Sequence, residues 1–204
     1  MLIKRGAEAD IFLIDWYGRK AVRKVRKPRE YRNRLLDEEI RSRRTLHEAQ
    51  MISSVKRAGV PAPSVYFVDP KNTEIIMQYV KGELVRNILE DAPRLSRQAG
   101  VYAARLHANN IVHGDLTTSN FILHDGRLVL IDFGLSFYSE RTEDKAVDVR
   151  LIKEIMSSAH AGIFRKAFDL FIQGYRSVLG TSSAEKILRK VKEIERRGRY
   201  ARVV

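Results

Sequence analysis

The sequence has no cysteine. Disulfide bridges and thiolate metal centres are thereby excluded, and the composition suits a reducing compartment. It also has no apolar run near the roughly 20 residues that a membrane-spanning helix needs. Its first residues, Met1-Leu2-Ile3-Lys4-Arg5-Gly6, lack the apolar centre of a signal peptide. The expected location is cytoplasmic, with no membrane partner. Internal repeats and low-complexity linkers are missing too. A chain of 204 residues with 44% apolar content can bury a core, as one domain or one two-lobed unit.

Acidic residues are few. Lys and Arg number 38 against 25 Asp and Glu, a formal net charge of +13. Such a field suits a nucleic acid or an acidic protein, with a solvated, solubilising surface as the alternative. The distribution is uneven: residues 19–44 hold twelve Lys/Arg against four Asp/Glu, and residues 185–204 hold eight against three.

Alternation and turn residues predict short strands at 2–4 and 11–14 around Gly6-Ala7-Glu8-Ala9-Asp10, and a third at 19–25. Pro28 ends the third strand. A helix is expected from about Arg29 to Arg57, burying Leu35, Leu36, Ile40, Leu46, Ala49, Ile52 and Val55. A hairpin follows at 65–68 and 73–79. The remainder reads as mainly helical: a short helix at 84–90, a longer one opened by Pro93, and another at 144–158 burying Val147, Leu151, Ile152, Ile155 and Met156. A helix with an apolar stripe from Ile163 to Tyr175 comes next. The last runs from 184 to about 197, capped by Thr181-Ser182-Ser183 and ended by Gly198.

The chemistry concentrates in His113-Gly114-Asp115-Leu116-Thr117-Thr118-Ser119-Asn120 and in Asp132-Phe133-Gly134 beyond a predicted hairpin. In this order and spacing the residues can converge on one Mg-nucleotide. Asp115 can orient or deprotonate the attacking group, Asn120 can offer an amide oxygen to Mg²⁺, and Asp132 leaves an apolar strand where a carboxylate can hold the same ion. His113 props the loop. Such a site needs a lysine on the third strand paired with a helix glutamate. Lys24 is preferred to Arg23 as the compact ammonium, with Glu48 as its partner and Glu38 and Glu39 as rivals nearer the helix start. Gly6, Ala7, Glu8 and Ala9 hold the place of a phosphate flap with one glycine instead of three. Met77 should line the back of an adenine pocket, with Gln78 and Val80 contributing main-chain atoms.

These motifs resemble those of the p53-related kinase family, the small atypical kinases of the KEOPS complex, in their stand-alone archaeal-type form. The resemblance rests on Gly6–Ala9, Arg26-Lys27-Pro28-Arg29-Glu30-Tyr31-Arg32 and Arg44-Thr45-Leu46-His47-Glu48-Ala49. It extends through His113–Asn120, Ile131–Leu135, Glu143–Asp148 and Arg196-Arg197-Gly198-Arg199, and so covers essentially the whole chain. It implies an α+β, bilobal protein-kinase-like fold: residues 1–80 as an N-lobe of five strands and one long helix, and 81–204 as a reduced helical C-lobe. It further implies ATP and Mg²⁺ as cofactors, ATPase activity with weak Ser/Thr kinase activity and autophosphorylation, and a role in forming threonylcarbamoyladenosine at position 37 of tRNA. The implied partners are a metal-dependent actin-like ATPase subunit on the C-lobe, a small subunit on the N-lobe, and tRNA on the basic tail (Lys190, Arg196, Arg197, Arg199, Arg202).

Two departures from an ordinary protein kinase stand out. Gly114 replaces the arginine of His-Arg-Asp, so no catalytic-loop arginine can answer a phosphorylated activation loop. Only nine residues separate Gly134 from the helix expected near Asp144, and no Ala-Pro-Glu follows. Two other readings stay open: a tRNA- and partner-binding scaffold that uses ATP only structurally, and a small-molecule phosphotransferase.

Overall fold

The computed structural model describes residues 1–29 and 31–200, with side chains through Arg197. Strands β1 (Leu2–Arg5), β2 (Ala9–Trp16), β3 (Arg19–Arg26), β4 (Val65–Asp69) and β5 (Glu74–Gln78) form one antiparallel sheet in the order β1-β2-β3-β5-β4. β2 is longer than its alternation suggested because it pairs residue for residue with β3, from Ala9 opposite Arg26 to Trp16 opposite Arg19. Tyr17 and Gly18 join them in the positive-φ turn that suits the right-handed twist of a hairpin.

Helix α1 (Arg34–Arg57) crosses between β3 and β4 in sequence. It starts five residues later than expected. Asn33 supplies the cap, its side-chain oxygen accepting the N–H groups of Leu35 and Leu36. The apolar stripe anticipated along α1 is only half correct. Met51, Ile52 and Val55 are buried, but Leu35, Leu36 and Leu46 are 77%, 51% and 43% exposed. The first half stands clear of the apolar core and is held by ion pairs instead: buried Asp37 takes Arg41 at 2.6 Å and Arg32 at 3.7 Å.

Beyond the sheet come β6 (Glu83–Leu84), α2 (Val85–Ile88), α3 (Leu95–Ala108), β7 (Ile111–Val112), β8 (Phe121–His124), β9 (Arg127–Leu130), β10 (Phe137–Tyr138), α4 (Thr142–Ala159), α5 (Phe164–Leu179) and α6 (Thr181–Tyr200). β6, β8 and β9 make a small sheet, and β7 pairs with β10. α3 and α5 cross backbone to backbone. A Cβ on Gly100 would lie 2.0 Å from the Phe171 carbonyl oxygen, and one on Gly174 would lie 2.0 Å from that of Arg97. Phe164, Phe168, Phe171 and Tyr175 stack in steps of 5.9, 6.0 and 6.0 Å along α5, as its period-3.6 stripe requires. One hydrophobic cluster runs from Met51 and Met77 to Phe121, Phe171 and Val191, so the two lobes share a core.

Three further expectations are corrected. In α4 the buried residues are Ala146, Asp148, Val149, Ile152 and Met156, while Val147 is 46% exposed; the helix turns a carboxylate, rather than its outer valine, toward the loop after β7. Thr181 is the first residue of α6, directly after Gly180 at φ 75°, so 181–183 form its first turn instead of a cap. Gly198 does not end α6, which continues to Tyr200. Among the described residues no helix is long and apolar enough to cross a membrane.

Candidate active site

A cleft of about 270 Å³ lies between the N-lobe sheet and the β6–β8–β9 sheet. Lys24, Glu48, Met77, Gln78, Val80, Asn120 and Asp132 all line it. Sequence reasoning missed its apolar walls, Ile11 and Val22 on one side and Leu84, Ile122 and Ile131 on the other. These residues read in sequence as ordinary strand alternation, and only the approach of two sheets makes them a slot for a flat ring. Gln78 spends its N–H on the Ser64 carbonyl at 2.8 Å, which leaves the carbonyl as the main-chain group it can offer.

Lys24 is the centre of the charged end. Its Nζ lies 2.6 Å from Glu48 Oε1 and 2.7 Å from Asp132 Oδ1. Burial works to lower the Lys24 pKa, but the two carboxylates outweigh it and hold it above the usual lysine value. Burial likewise works to raise the Asp132 pKa, and Lys24 reverses that, holding it below the usual carboxylate value. Asp132 itself adopts φ 64°, which aims its carboxylate back into the cleft. Arg26 is a member of this network that the sequence reading overlooked. Residues 22, 24 and 26 share one face of β3, and Arg26 meets the other oxygen of Glu48 at 2.5 Å. Its alternation with Lys24 was the available signal.

None of Gly6, Ala7, Glu8 and Ala9 lines the cleft. Gly6 to Glu8 form the turn between β1 and β2, closed by Gly6 N–H to Ala9 carbonyl at 3.0 Å, and Ala9 already belongs to β2. Glu8 faces α1, with both carboxylate oxygens 3.0 Å from Arg44 and one of them 3.9 Å from Arg26. The flap is thus tied to the same helix that carries Glu48.

The loop between β7 and β8 carries the remaining groups. Asn120 Nδ2 donates to the backbone carbonyl of Asp115 at 2.8 Å and to its Oδ2 at 2.9 Å. Both amide protons are used, so Oδ1 is the acceptor left for a cation. Among the described residues no group of three or more His, Cys, Asp and Glu forms a metal cage. One carboxylate and one amide oxygen fit an ion that shares its shell with phosphates and water, as Mg²⁺ does.

Asp148 on α4 holds this loop. It is 1% exposed, accepts the backbone N–H of His113 at 2.6 Å and of Gly114 at 2.9 Å, and meets His107 Nε2 at 3.3 Å. Tyr175 completes the line, 2.7 Å from His107 Nδ1. Gly114 is dictated by space: at φ 80°, a Cβ there would lie 2.3 Å from the Leu135 carbonyl oxygen. Burial lowers the His113 pKa, and the neutral ring reaches the Ile131 carbonyl at 3.3 Å. His47, next to Glu48, contacts the Ser136 carbonyl at 2.7 Å and so links α1 to the short segment after Gly134. With α4 starting at Thr142, that segment spans 135–141.

Away from the cleft, Lys190 pairs with Glu193 at 2.7 Å and Arg197 with Glu143 at 3.3 Å, while Arg196 is exposed on α6. The Arg199 side chain, Arg202 and Glu30 lie outside the described residues.

A two-lobed fold with a lysine–glutamate pair facing an Asp-Asn loop and an Asp-Phe-Gly strand end defines the class, an atypical kinase. The chain superposes on the Rio2 kinase–ADP/Mg²⁺–phosphoaspartate complex from Chaetomium thermophilum with a TM-score of 0.66 at 15% identity, covering 98% of this chain and 70% of that one. It also superposes on the amicoumacin kinase hAmiN at 0.64 and 13%, covering 93% and 77%. At these identities the likeness is one of fold. The RIO domain family model matches residues 14–158. The KEOPS complex subunit Bud32 of Pyrococcus abyssi is 39% identical over 210 residues, covering 98% of this chain and 96% of the relative. The chain belongs to the RIO-domain atypical kinases and, within them, to the Bud32 family. A probable bifunctional tRNA threonylcarbamoyladenosine biosynthesis protein of Methanobrevibacter smithii is 42% identical over 199 residues; the chain spans 36% of its length.

Proposed function

We propose that this chain is the Mg-ATP-dependent kinase and ATPase subunit of a complex that forms threonylcarbamoyladenosine on tRNA. The observation that carries the catalytic reading is the single ammonium of Lys24 shared between Glu48 and Asp132 at 2.6 and 2.7 Å. Mg-ATP, when bound, supplies the phosphoryl group and a charge-neutralised leaving group. Lys24 would hold the phosphate oxygens, kept in place by Glu48, which Arg26 steadies. Asp132 and Asn120 Oδ1 are the groups that would hold the cation. Asp115, fixed by Asn120, accepts or orients the proton of the attacking hydroxyl or water. Met77 and the main chain at Gln78 and Val80 position the adenine. Gly6–Ala9, outside the cleft lining, act on the site only through the flap's tie to α1, the helix that carries Glu48.

The partner assignments extend what the relatives are named for. The P. abyssi protein is named a KEOPS subunit, and those of M. smithii and Methanocaldococcus jannaschii are named for tRNA threonylcarbamoyladenosine biosynthesis. We assign the N-lobe to a small subunit, the C-lobe to an actin-like ATPase subunit, and the basic C-terminal residues Lys190, Arg196, Arg197, Arg199 and Arg202 to tRNA, all in the cytoplasm. Water, this chain or a partner serves as phosphoryl acceptor. In a reconstituted complex, Asp132→Ala should abolish both ATP turnover and tRNA modification. Undiminished turnover would refute the catalytic reading, and loss of turnover with full modification would leave the scaffold reading in its place.

A further inference from the structure

A second basic surface lies away from both the cleft and α6. Arg94, Arg97 and Arg105 from α3 and its N-terminal cap converge with Arg127, at the start of β9, on a groove of about 700 Å³. All four side chains belong to exposed residues, and none has a carboxylate oxygen within 4.0 Å among the described residues. Among the described side chains twelve other arginines have one and seven more do not, so what marks these four is that they lie together. Arg23, Arg26, Arg41, Arg44 and Arg150 each have a carboxylate in reach, and even the fully exposed Arg34 and Arg43 have acids one turn away. The neighbouring acid, Asp125, turns to His124 at 3.5 Å. Four like charges, three from α3 and its cap and one from β9, left without counter-charge repel one another unless an anion neutralises them.

The floor of the groove is built as well as charged. Arg105 donates to the Gly59 carbonyl at 2.5 Å, which anchors one edge of its guanidinium and leaves the others outward. Gln98 is fixed at both ends, its oxygen accepting Leu128 N–H at 3.2 Å and its nitrogen donating to the Tyr102 hydroxyl at 3.1 Å. Tyr102 oxygen is therefore already an acceptor, and its proton is available to donate. Burial holds its pKa above the usual tyrosine value against the pull of Arg105 and Arg127, so the phenol remains a donor. Guanidinium forks around one neutral donor match an acceptor-only anion, phosphate or carboxylate, because every group offered is a donor.

We infer that this groove binds the sugar–phosphate backbone of RNA, a contact separate from the basic end of α6. Eleven residues of helix separate Arg94 from Arg105, about 16 Å at 1.5 Å per residue, and eleven steps of 100° return them to nearly the same face. That length spans several phosphates of one strand, which recur every few ångströms. The contact carries no base readout: it positions an RNA that other surfaces select. The choice of RNA over another polyanion rests on the tRNA reading given above, and the test separates the two.

The full chain is titrated with tRNA between about 50 and 200 mM salt, by fluorescence anisotropy, as wild type, Arg94→Gln/Arg127→Gln, and the charge-matched control Arg34→Gln/Arg43→Gln. The groove variant should bind at least tenfold more weakly at the lowest salt. The slope of log K against log salt should fall by about 1.4–1.8, the share of two phosphate contacts. The control should change neither by as much. Tyr102→Phe, which removes no charge, should weaken binding two- to tenfold and leave the slope unchanged. Thermal unfolding of each variant establishes that it is folded, and Arg97→Gln/Arg127→Gln replaces any double variant that is not. A groove variant that matches the control in affinity and slope overturns the proposal while leaving the tRNA reading intact, including if that variant loses an acidic protein partner instead. Wild-type chain with no salt-dependent tRNA binding overturns both.

Discussion

Asp148→Asn is the substitution for which the structure makes the sharpest demand. The carboxylate gives one oxygen to His113 N–H at 2.6 Å and the other to Gly114 N–H at 2.9 Å, and His107 approaches the first at 3.3 Å. An amide has the same shape but only one oxygen. Whichever way it turns, one buried backbone N–H faces an NH₂ group and loses its acceptor. A hydrogen bond to a charged acceptor contributes about 1.5–3 kcal/mol, and an unsatisfied buried donor costs about 1–3 kcal/mol. The two descriptions overlap, so the expected loss is about 3 kcal/mol. For a chain of this length that lowers Tm by roughly 6–12 °C. The assay is urea and thermal unfolding at pH 7, paired with ATP turnover, which should fall by more than the folded fraction because the loop holding Asp115 and Asn120 loses its anchor. The pH dependence has a definite sign. The folded Asp148 pKa is lowered by His107 and by the loop N–H groups, although burial works to raise it. Its stabilisation is therefore complete above the unfolded value of about 3.8 and disappears as pH falls from there through the folded value. Wild type should lose part of its stability below about pH 4, and the variant should lack that part. A loss under 1 kcal/mol at pH 7, or an unchanged acid limb, would show that Asp148 does not hold the loop.

Other consequences are as direct. Gly114→Ala should destabilise the chain by at least 2 kcal/mol in denaturant titration, since φ 80° costs about 1–2 kcal/mol for any other residue and the Leu135 carbonyl occupies the Cβ position. Arg26→Met should cut ATP turnover at least tenfold with a smaller effect on nucleotide binding, because Glu48 is left with one partner and draws Lys24 away from the phosphates; equal kinetics would make Arg26 a packing residue only. Leu35→Gln, by contrast, should shift unfolding by less than about 0.5 kcal/mol, as its side chain is already in water.

The charged centre of the site was legible because its chemistry fixes residue types at fixed separations. Lys24, Glu48, Asn120 and Asp132 were nameable from strand alternation, helix position and motif order, and they do meet around one cleft. Arg26 and Asp148 stood within the family motifs but were given no role, for a common reason. Each is a charged residue whose significance depends on what lies opposite, and isolated charges in a basic chain read as surface. Glu8 shows the reverse error. Its place in the flap suggested the nucleotide, whereas three arginines on β3, α1 and the segment between them claim its carboxylate.

Local sequence alone determined the five strands of the main sheet to within a few residues, the α5 stripe with its aromatic ladder, a hairpin before Asp132 and the absence of any cysteine chemistry. These follow from periodicity and backbone preference, which act within a few residues. Tertiary structure alone decided which half of α1 is core, which face of α4 looks inward, that α3 and α5 touch at Gly100 and Gly174, and that Arg127 of β9 joins the arginines of α3 on one groove. Those outcomes depend on which surfaces come together. Helical spacing tells that Leu35 and Ile52 lie along one helix, but only the packed sheet beneath Ile52, and the water around Leu35, separates them.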